Sequence, residues 1–362
     1  MKIMTRVLVV FSIVLAAGAV ARAQDGATRA EFDCLMMANS SRVAIPGEPS
    51  SFPSFHHVWM PDLKYGTFKS HGLNLVYETQ GEGPEVIVVV HGGAGLPHDY
   101  FHPMLANLSR YAKLVFFDRR ADMLGSGKSH QMASVDEMAD DIDALRQELG
   151  LNRVTLLGHS FGGAIALNYA IRHPGNVKRL ILVSATAVVE DPRAAERRIV
   201  QSLSPAELAA YNSGEGGTGA AQPCDRVRKR YSVLYPKYFY HMVPYEFDRG
   251  VYTVYFDSLA KKIALAGDSN AIDLRAKLDQ VKVPVIVFAG KHDLVAPPAQ
   301  VEQLASGLPQ AKLVVMEQSG HFPIFEENYL FTQWVRQFMN ATGKSSDDRF
   351  VHSVTSSSAG GR

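Results

Sequence analysis

Val154-Thr155-Leu156-Leu157-Gly158-His159-Ser160-Phe161-Gly162-Gly163-Ala164-Ile165 passes from an apolar run of strand length, through a glycine-flanked serine, into a second apolar stretch. The first run reads as a strand and the segment after Phe161 as a helix, with a tight turn between them. The spacing G-x-S-x-G across that turn is that of a nucleophile elbow, in which Gly158 and Gly162 permit a strained backbone that lifts the Ser160 hydroxyl into the open. Such a pentapeptide also arises by chance in a chain with 29 glycines. Ser160 is a nucleophile only if the chain also supplies a base to take its proton and an acid to orient that base.

Both partners are expected just past strands. Continuous apolar runs recur at Val86–Val90, Leu114–Phe117, Leu180–Val183, Val285–Phe288 and Leu313–Met316. Unbroken rather than alternating apolarity is the pattern of strands covered on both faces. Val285–Phe288 runs into Ala289-Gly290-Lys291-His292-Asp293, and Leu313–Met316 into Glu317-Gln318-Ser319-Gly320-His321. Asp293 and His321 taken singly are a loop aspartate and one of thirteen histidines. In the order Ser160, Asp293, His321, each past a strand, they form the candidate triad of the α/β-hydrolase fold. A tetrahedral intermediate further needs donors for its oxyanion. The N–H of Phe161 is one candidate; the loop His91-Gly92-Gly93-Ala94-Gly95 after Val86–Val90 offers Gly93, with Ala94 as the alternative. His91 itself reads as a structural residue of that loop.

Helical patterns separate the strands. Ser134-Val135-Asp136-Glu137 is a capping box opening a helix that stops at Gly150. Further helices are expected after Phe161, near Pro298 and near Asn328, and Leu73–Gln80 forms a hairpin with the preceding strand across His71-Gly72. The fold class is therefore α/β: a mostly parallel central sheet flanked by helices. The alternation breaks between residues 187 and 276, where helix-like pieces (one opened by Ser204-Pro205-Ala206-Glu207) appear without a strand run. This insertion reads as a helical cap. Its aromatic group, Tyr231, Tyr235, Tyr238, Phe239, Tyr240, Tyr245, Phe247, Tyr252, Tyr255 and Phe256, suits either an apolar substrate or the cap's own core.

The full division is a signal peptide over 1–23, an extended arm over 24–64, core over 65–186 and 277–342, the cap over 187–276, and a disordered Ser- and Gly-rich tail over 343–362. Lys2 and Arg6, the apolar Val7–Ala17 and the Ala21-Arg22-Ala23 exit point to cleavage and to a secreted or periplasmic protein, a retained anchor being the alternative. A net charge of +1 over 362 residues gives no reason to expect nucleic acid or an acidic membrane as partner. The expected partner is a small-molecule or short-peptide substrate, with no stable membrane insertion after cleavage. Cys34 and Cys224 are either one disulfide or two separate thiols, and neither spacing suggests a metal site. Asp118 and Asp122 near Asp140 and Asp141 could suggest a metal, but the latter two lie in a predicted helix and read as a solvated acidic face. Gly125-Ser126-Gly127-Lys128-Ser129 lacks the first glycine of a phosphate loop, Asp122 standing there. No cofactor and no metal are expected.

The motifs HGGAG (91–95), FDRR followed by GSGKS (117–120, 125–129), GHSFGG (158–163), GKHD (290–293) and SGHF (319–322) together resemble the proline iminopeptidase (prolyl aminopeptidase) branch of the α/β-hydrolase superfamily over residues 65–342. The resemblance implies Ser160, Asp293 and His321 as triad, Gly93 and Phe161 as oxyanion hole, and cap carboxylates that hold a substrate's free amine, Glu246 being the candidate here. It implies removal of an N-terminal residue, often proline, from peptides. A carboxylesterase acting on small apolar or aryl esters is the alternative, with a C–C bond hydrolase or a non-catalytic binding protein behind it.

Overall fold

The structure is a computed structural model that describes residues 63–93, 98–118, 134–189, 192–213, 232–241, 272–341 and 350–351. Cys34, Cys224, Ala94, Glu246, residues 1–62 and most of the cap's aromatic group lie outside them.

The chain enters through β1 (Lys64–Ser70) and β2 (Leu73–Gln80), an antiparallel hairpin. His71 and Gly72 at its tip both have positive φ, +46° and +79°, as a two-residue turn matched to strand twist requires. β3 (Glu85–Val90), β4 (Ala112–Phe117), β5 (Val154–His159), β6 (Val177–Val183), β9 (Val285–Gly290) and β10 (Ala311–Met316) follow, with the two-residue strands β7 (Val188–Val189) and β8 (Ile272–Asp273) between β6 and β9. Among the described residues nine strands make one sheet in the order β1-β2-β4-β3-β5-β6-β9-β10-β11, β11 being Phe350–Val351. The β1–β2 and β2–β4 pairs are antiparallel and every other neighbouring pair in this sheet is parallel.

The unbroken apolarity of the central strands is explained by two cores, one on each face. Val88 and Val90 of β3 enter one, Ile87 and Val89 the other; in β6, Leu180 and Leu182 part from Ile181 and Val183 in the same way. Period-2 alternation thus sends half of each run to either side. The first core is closed by α2 (Val135–Glu148), α3 (Phe161–Arg172) and α6 (Pro298–Gly307), and the second by α1 (Phe101–Leu105), α7 (Pro323–Glu326) and α8 (Asn328–Asn340). At α2 the expected capping box is complete: the Glu137 N–H donates to Ser134 Oγ at 3.2 Å, while the Ser134 N–H donates to Glu137 Oε2 at 2.7 Å. Gly150 ends the helix at φ +65°.

Three expectations need correction. The acidic pair in α2 is not wholly solvated: Asp140 is half-exposed, but Asp141 is fully buried because it falls on the helix face of Met138, Ile142 and Leu145. The insertion does contain strands, since β7 and β8 pair antiparallel at its two ends, Val188 opposite Asp273 and Val189 opposite Ile272. Two-residue strands are too short to form an apolar run. The tail also contributes: β11 pairs in parallel with β10, Phe350 opposite Leu313, so one pair of β-forming residues within a polar composition finds an edge.

The described cap pieces are α4 (Pro192–Gln201), α5 (Pro205–Ser213) and residues 232–241. α5 opens on the expected capping box, Ser204 with Glu207. Ile199, Tyr211 and Leu234 form a small core of their own. No helix among the described residues is long and apolar enough to cross a membrane.

Candidate active site

β3 neighbours both β4 and β5, so the chain leaves β3 in one direction and returns on its other side. In a parallel sheet such a reversal opens a crevice at the strands' carboxyl ends. The His91–Gly93 loop lies past β3 and Ser160 past β5, which puts them on the two sides of that crevice. A Cβ added at Gly92 would lie 3.0 Å from Ser160 Cβ, so the two loops are in van der Waals contact there.

Ser160 has φ +53° and ψ −125°, a conformation that costs a non-glycine residue about 1–3 kcal/mol. The turn is held from both sides: the Ser160 N–H donates to Val183 O at 2.8 Å, and the Gly163 N–H to Ser160 O at 2.9 Å. The glycines are needed for closeness. A Cβ at Gly158 would sit 2.6 Å from Gly163 Cα, and one at Gly162 would sit 2.2 Å from Val90 O. Phe161 is the first residue of α3, where the helix dipole favours negative charge. Gly93, with φ +63°, lies on the facing loop.

Asp293 and His321 meet as expected. The His321 Nδ1–H donates to Asp293 Oδ2 at 2.8 Å, with both side chains buried. Asp293 Oδ1 accepts the N–H groups of Val295 at 2.8 Å and Ala296 at 2.9 Å, which fix the carboxylate. The two loops share backbone: the His292 N–H donates to Ser319 O at 3.0 Å, and a Cβ at Gly290 would overlap Gly320 O. Behind His321, two carboxylates of the α7 segment hold the loop. Glu326 accepts from the Gly320 N–H at 2.7 Å, and Glu327 accepts from the Gln318 N–H at 2.9 Å and from Ser319 Oγ at 2.6 Å.

His159 was not singled out by the sequence, though it lies inside the elbow. It is wholly buried, and its pKa is lowered to about 3, by burial first and by the nearby His321 second. It is therefore neutral, and its partners fix the tautomer. A carbonyl can only accept, so Nε2 carries the hydrogen and donates to His321 O at 2.9 Å. Nδ1 then accepts from the Tyr100 hydroxyl at 3.0 Å, and that hydroxyl accepts from the Gly92 N–H at 2.8 Å. Tyr100 and His159 thus bind together the Gly92 loop, the Ser160 elbow and the His321 loop. His91, expected to be structural, is fully buried beside them.

The described pieces of the insertion reach both the Asp293 and the His321 loops. The His321 N–H donates to Tyr238 O at 2.6 Å, and Arg198 of α4 donates to Leu294 O and Val295 O at 2.9 and 2.7 Å. The Tyr240 ring stacks on His292 with centroids 3.5 Å apart. The aromatic group divides: Tyr235 and Phe239 are buried with Phe322 in the core beneath the cap, whereas the Tyr238 ring lies edge-on to His321 at 5.8 Å. Among the described residues, the cluster whose ligand atoms lie in mutual reach of one ion stands apart from this site, at Glu78, His98 and His102.

Residues 85–228 and 247–328 match the profile of the alpha/beta hydrolase fold family. A protein of Agrobacterium fabrum (strain C58) provisionally named as the carbamate hydrolase RutD is 28% identical over 274 residues, covering 75% of this chain and 97% of that one. A proline iminopeptidase of Saccharolobus solfataricus is 27% identical over 297 residues, covering 77% and 93%. The crystal structure of VinJ superposes with a TM-score of 0.62 at 23% identity, over 76% of this chain and 98% of that one, a likeness of fold.

Proposed function

Because this chain belongs to the alpha/beta hydrolase fold family, we propose that it is a serine hydrolase in which Ser160 is the nucleophile, His321 the base and Asp293 the residue that orients His321. The observation that carries this reading is the buried 2.8 Å bond between His321 Nδ1 and Asp293 Oδ2, past strands in the same sheet that ends in the strained Ser160 turn.

In this mechanism Ser160 Oγ attacks the carbonyl carbon of an amide or ester while His321 Nε2 takes its proton. Asp293 stabilises the imidazolium, and the N–H groups of Gly93 and Phe161 hold the oxyanion. The bond to the leaving group breaks as His321 returns the proton to it. Water then attacks the acyl-enzyme, giving its proton to His321, and the acyl–oxygen bond breaks as His321 passes that proton to Ser160 Oγ.

Within that class we assign the chain to aminopeptidase-like chemistry, removal of an N-terminal residue such as proline. The similarity to proline iminopeptidases at 24–27% identity supports this assignment. Glu246, which lies outside the described residues, is the proposed partner of the substrate's amine. An ester would use the same triad, so the amine is the discriminator. Hydrolysis of proline p-nitroanilide, with little activity on its N-acylated form or on p-nitrophenyl esters, is the expected outcome. Indifference to the amine would show an esterase. Ser160→Ala should lower kcat by about 10⁴-fold or more with the circular dichroism spectrum unchanged. Full activity in that variant would refute the nucleophile. We further propose export, checked by whether the mature protein begins at Gln24.

A further inference from the structure

Away from the proposed triad, four titratable side chains converge behind the His91–Gly93 loop. Glu78 is near the end of β2, and its register partner on β4 is Phe116. Asp118 follows the last residue of β4. His98 and His102 lie four residues apart, on the short turn His98–Tyr100 and on α1, so one helical turn presents both imidazoles to the same strand pair. His98 Nε2 and His102 Nε2 each lie 3.2 Å from Glu78 Oε2, and the three atoms are within 4.8 Å of one another. The Phe116 ring walls the group, stacked on His98 and edge-on to His102.

From this geometry we propose that Glu78, His98 and His102 bind a divalent first-row transition ion, zinc foremost, in a structural role. Four features carry it. Two imidazoles and a carboxylate are a zinc donor set, and ligand atoms about 2.0–2.1 Å from a tetrahedral zinc are about 3.3 Å apart, close to both separations found here. His98 Nε2 and Glu78 Oε2 are both buried and 3.2 Å apart, so they face the same small space. The other ring nitrogen, Nδ1, is bound to Asp118 Oδ1 at 2.8 Å, and the His98 N–H reaches the same oxygen at 2.9 Å. That is the carboxylate–histidine support which fixes the ring of a metal ligand. Finally, a dication with both imidazoles neutral balances the two carboxylates, in a place where unbalanced charge is expensive.

The ion would join β2 to the segment from His98 to His102, and Asp118, just past β4, holds that segment through His98. Tyr100, in the middle of that segment, is the residue whose hydroxyl holds Gly92 and His159. The site therefore secures the oxyanion loop from behind without touching substrate.

The test uses the purified full chain, stripped with chelator and titrated with Co²⁺ and Zn²⁺ alone. One equivalent of Co²⁺ should give visible absorption bands of a low-coordinate nitrogen and oxygen site, bleached by Zn²⁺, and Zn²⁺ should raise Tm. Glu78→Gln and His102→Gln should each abolish the one-equivalent signal, and Asp118→Asn should weaken binding about 10–100-fold. His71→Gln, at the exposed hairpin tip, should leave binding intact. Absence of a one-equivalent complex in the native chain overturns the proposal and leaves an ion-pair network, an outcome that needs no variant to fold. Equal binding by Glu78→Gln and His102→Gln, or loss in His71→Gln, overturns it as well.

Discussion

Two aspartates in this molecule, Asp293 buried and Asp118 partly buried, each hold a histidine through Nδ1 at 2.8 Å: Asp293 with His321, and Asp118 with His98. The first contact is the same; what surrounds it is not. Asp293 commits its other oxygen to the backbone N–H groups of Val295 and Ala296, and no second carboxylate lies within ion-pair distance of His321 among the described residues. His98 faces a second carboxylate, Glu78, which also faces His102. One carboxylate orients an imidazole and leaves its far nitrogen for chemistry. A second, on the far side, turns the same pair into a fixed junction between strands. A histidine–aspartate distance therefore does not identify a catalytic dyad; the groups around Nε2 must be read too.

The sharpest way to break that contrast is to make the same isosteric change twice. Asp293→Asn is expected to lower kcat by about 10⁴-fold with little change in Tm, because the amide leaves the wrong tautomer facing Ser160. Asp118→Asn is expected to act on stability, costing about 2–4 kcal/mol by denaturant unfolding, with a far smaller change in kcat. Similar kinetic losses in both would erase the distinction. Tyr100→Phe probes the link between the two regions. Removing the hydroxyl leaves the buried Gly92 N–H without its partner, at about 1–2 kcal/mol, and kcat should fall about tenfold with KM nearly unchanged. The smallest effect concerns pH. The pKa of His159 is lowered from 6.5 to about 3 in the folded chain, so the unfolded state binds a proton that the native state refuses. Its contribution to stability is present above pH 6.5 and is lost as pH falls towards 3. Tm measured across that window should fall less steeply in His159→Gln than in the native chain.

Most of what positions the proposed triad was legible because it is local. The apolar runs, the Ser134 and Ser204 capping boxes, the His71-Gly72 turn and the glycines beside Ser160 each declare themselves within a few residues, and the order of Ser160, Asp293 and His321 follows the strands. What was hidden depends on distant pieces meeting. Glu78 is twenty residues from His98, and they meet only because β2 lies beside β4 rather than β3. The i, i+4 histidines were visible but had no partner in the local sequence. Tyr100 and His159 came together from different loops, and their importance lies in hydrogen bonds to backbone, which residue identity does not reveal. Asp141 was misread because an aspartate on an apolar helix stripe is rare, and composition favoured the solvent.

The pairing of β7 with β8 has a consequence for how such an enzyme diversifies. The insertion leaves and re-enters the body of the protein through adjacent antiparallel strands, Val188 opposite Asp273. The insertion's two ends meet at that pair, and Arg198 and Tyr238 tie its described pieces to the Asp293 and His321 loops. A chimera could exchange the insertion at that pair, or replace it with a short hairpin, without cutting a strand of the nine-stranded sheet. On the proposed mechanism, such an exchange would change substrate choice while Ser160, His321 and Asp293 stay where the sheet puts them.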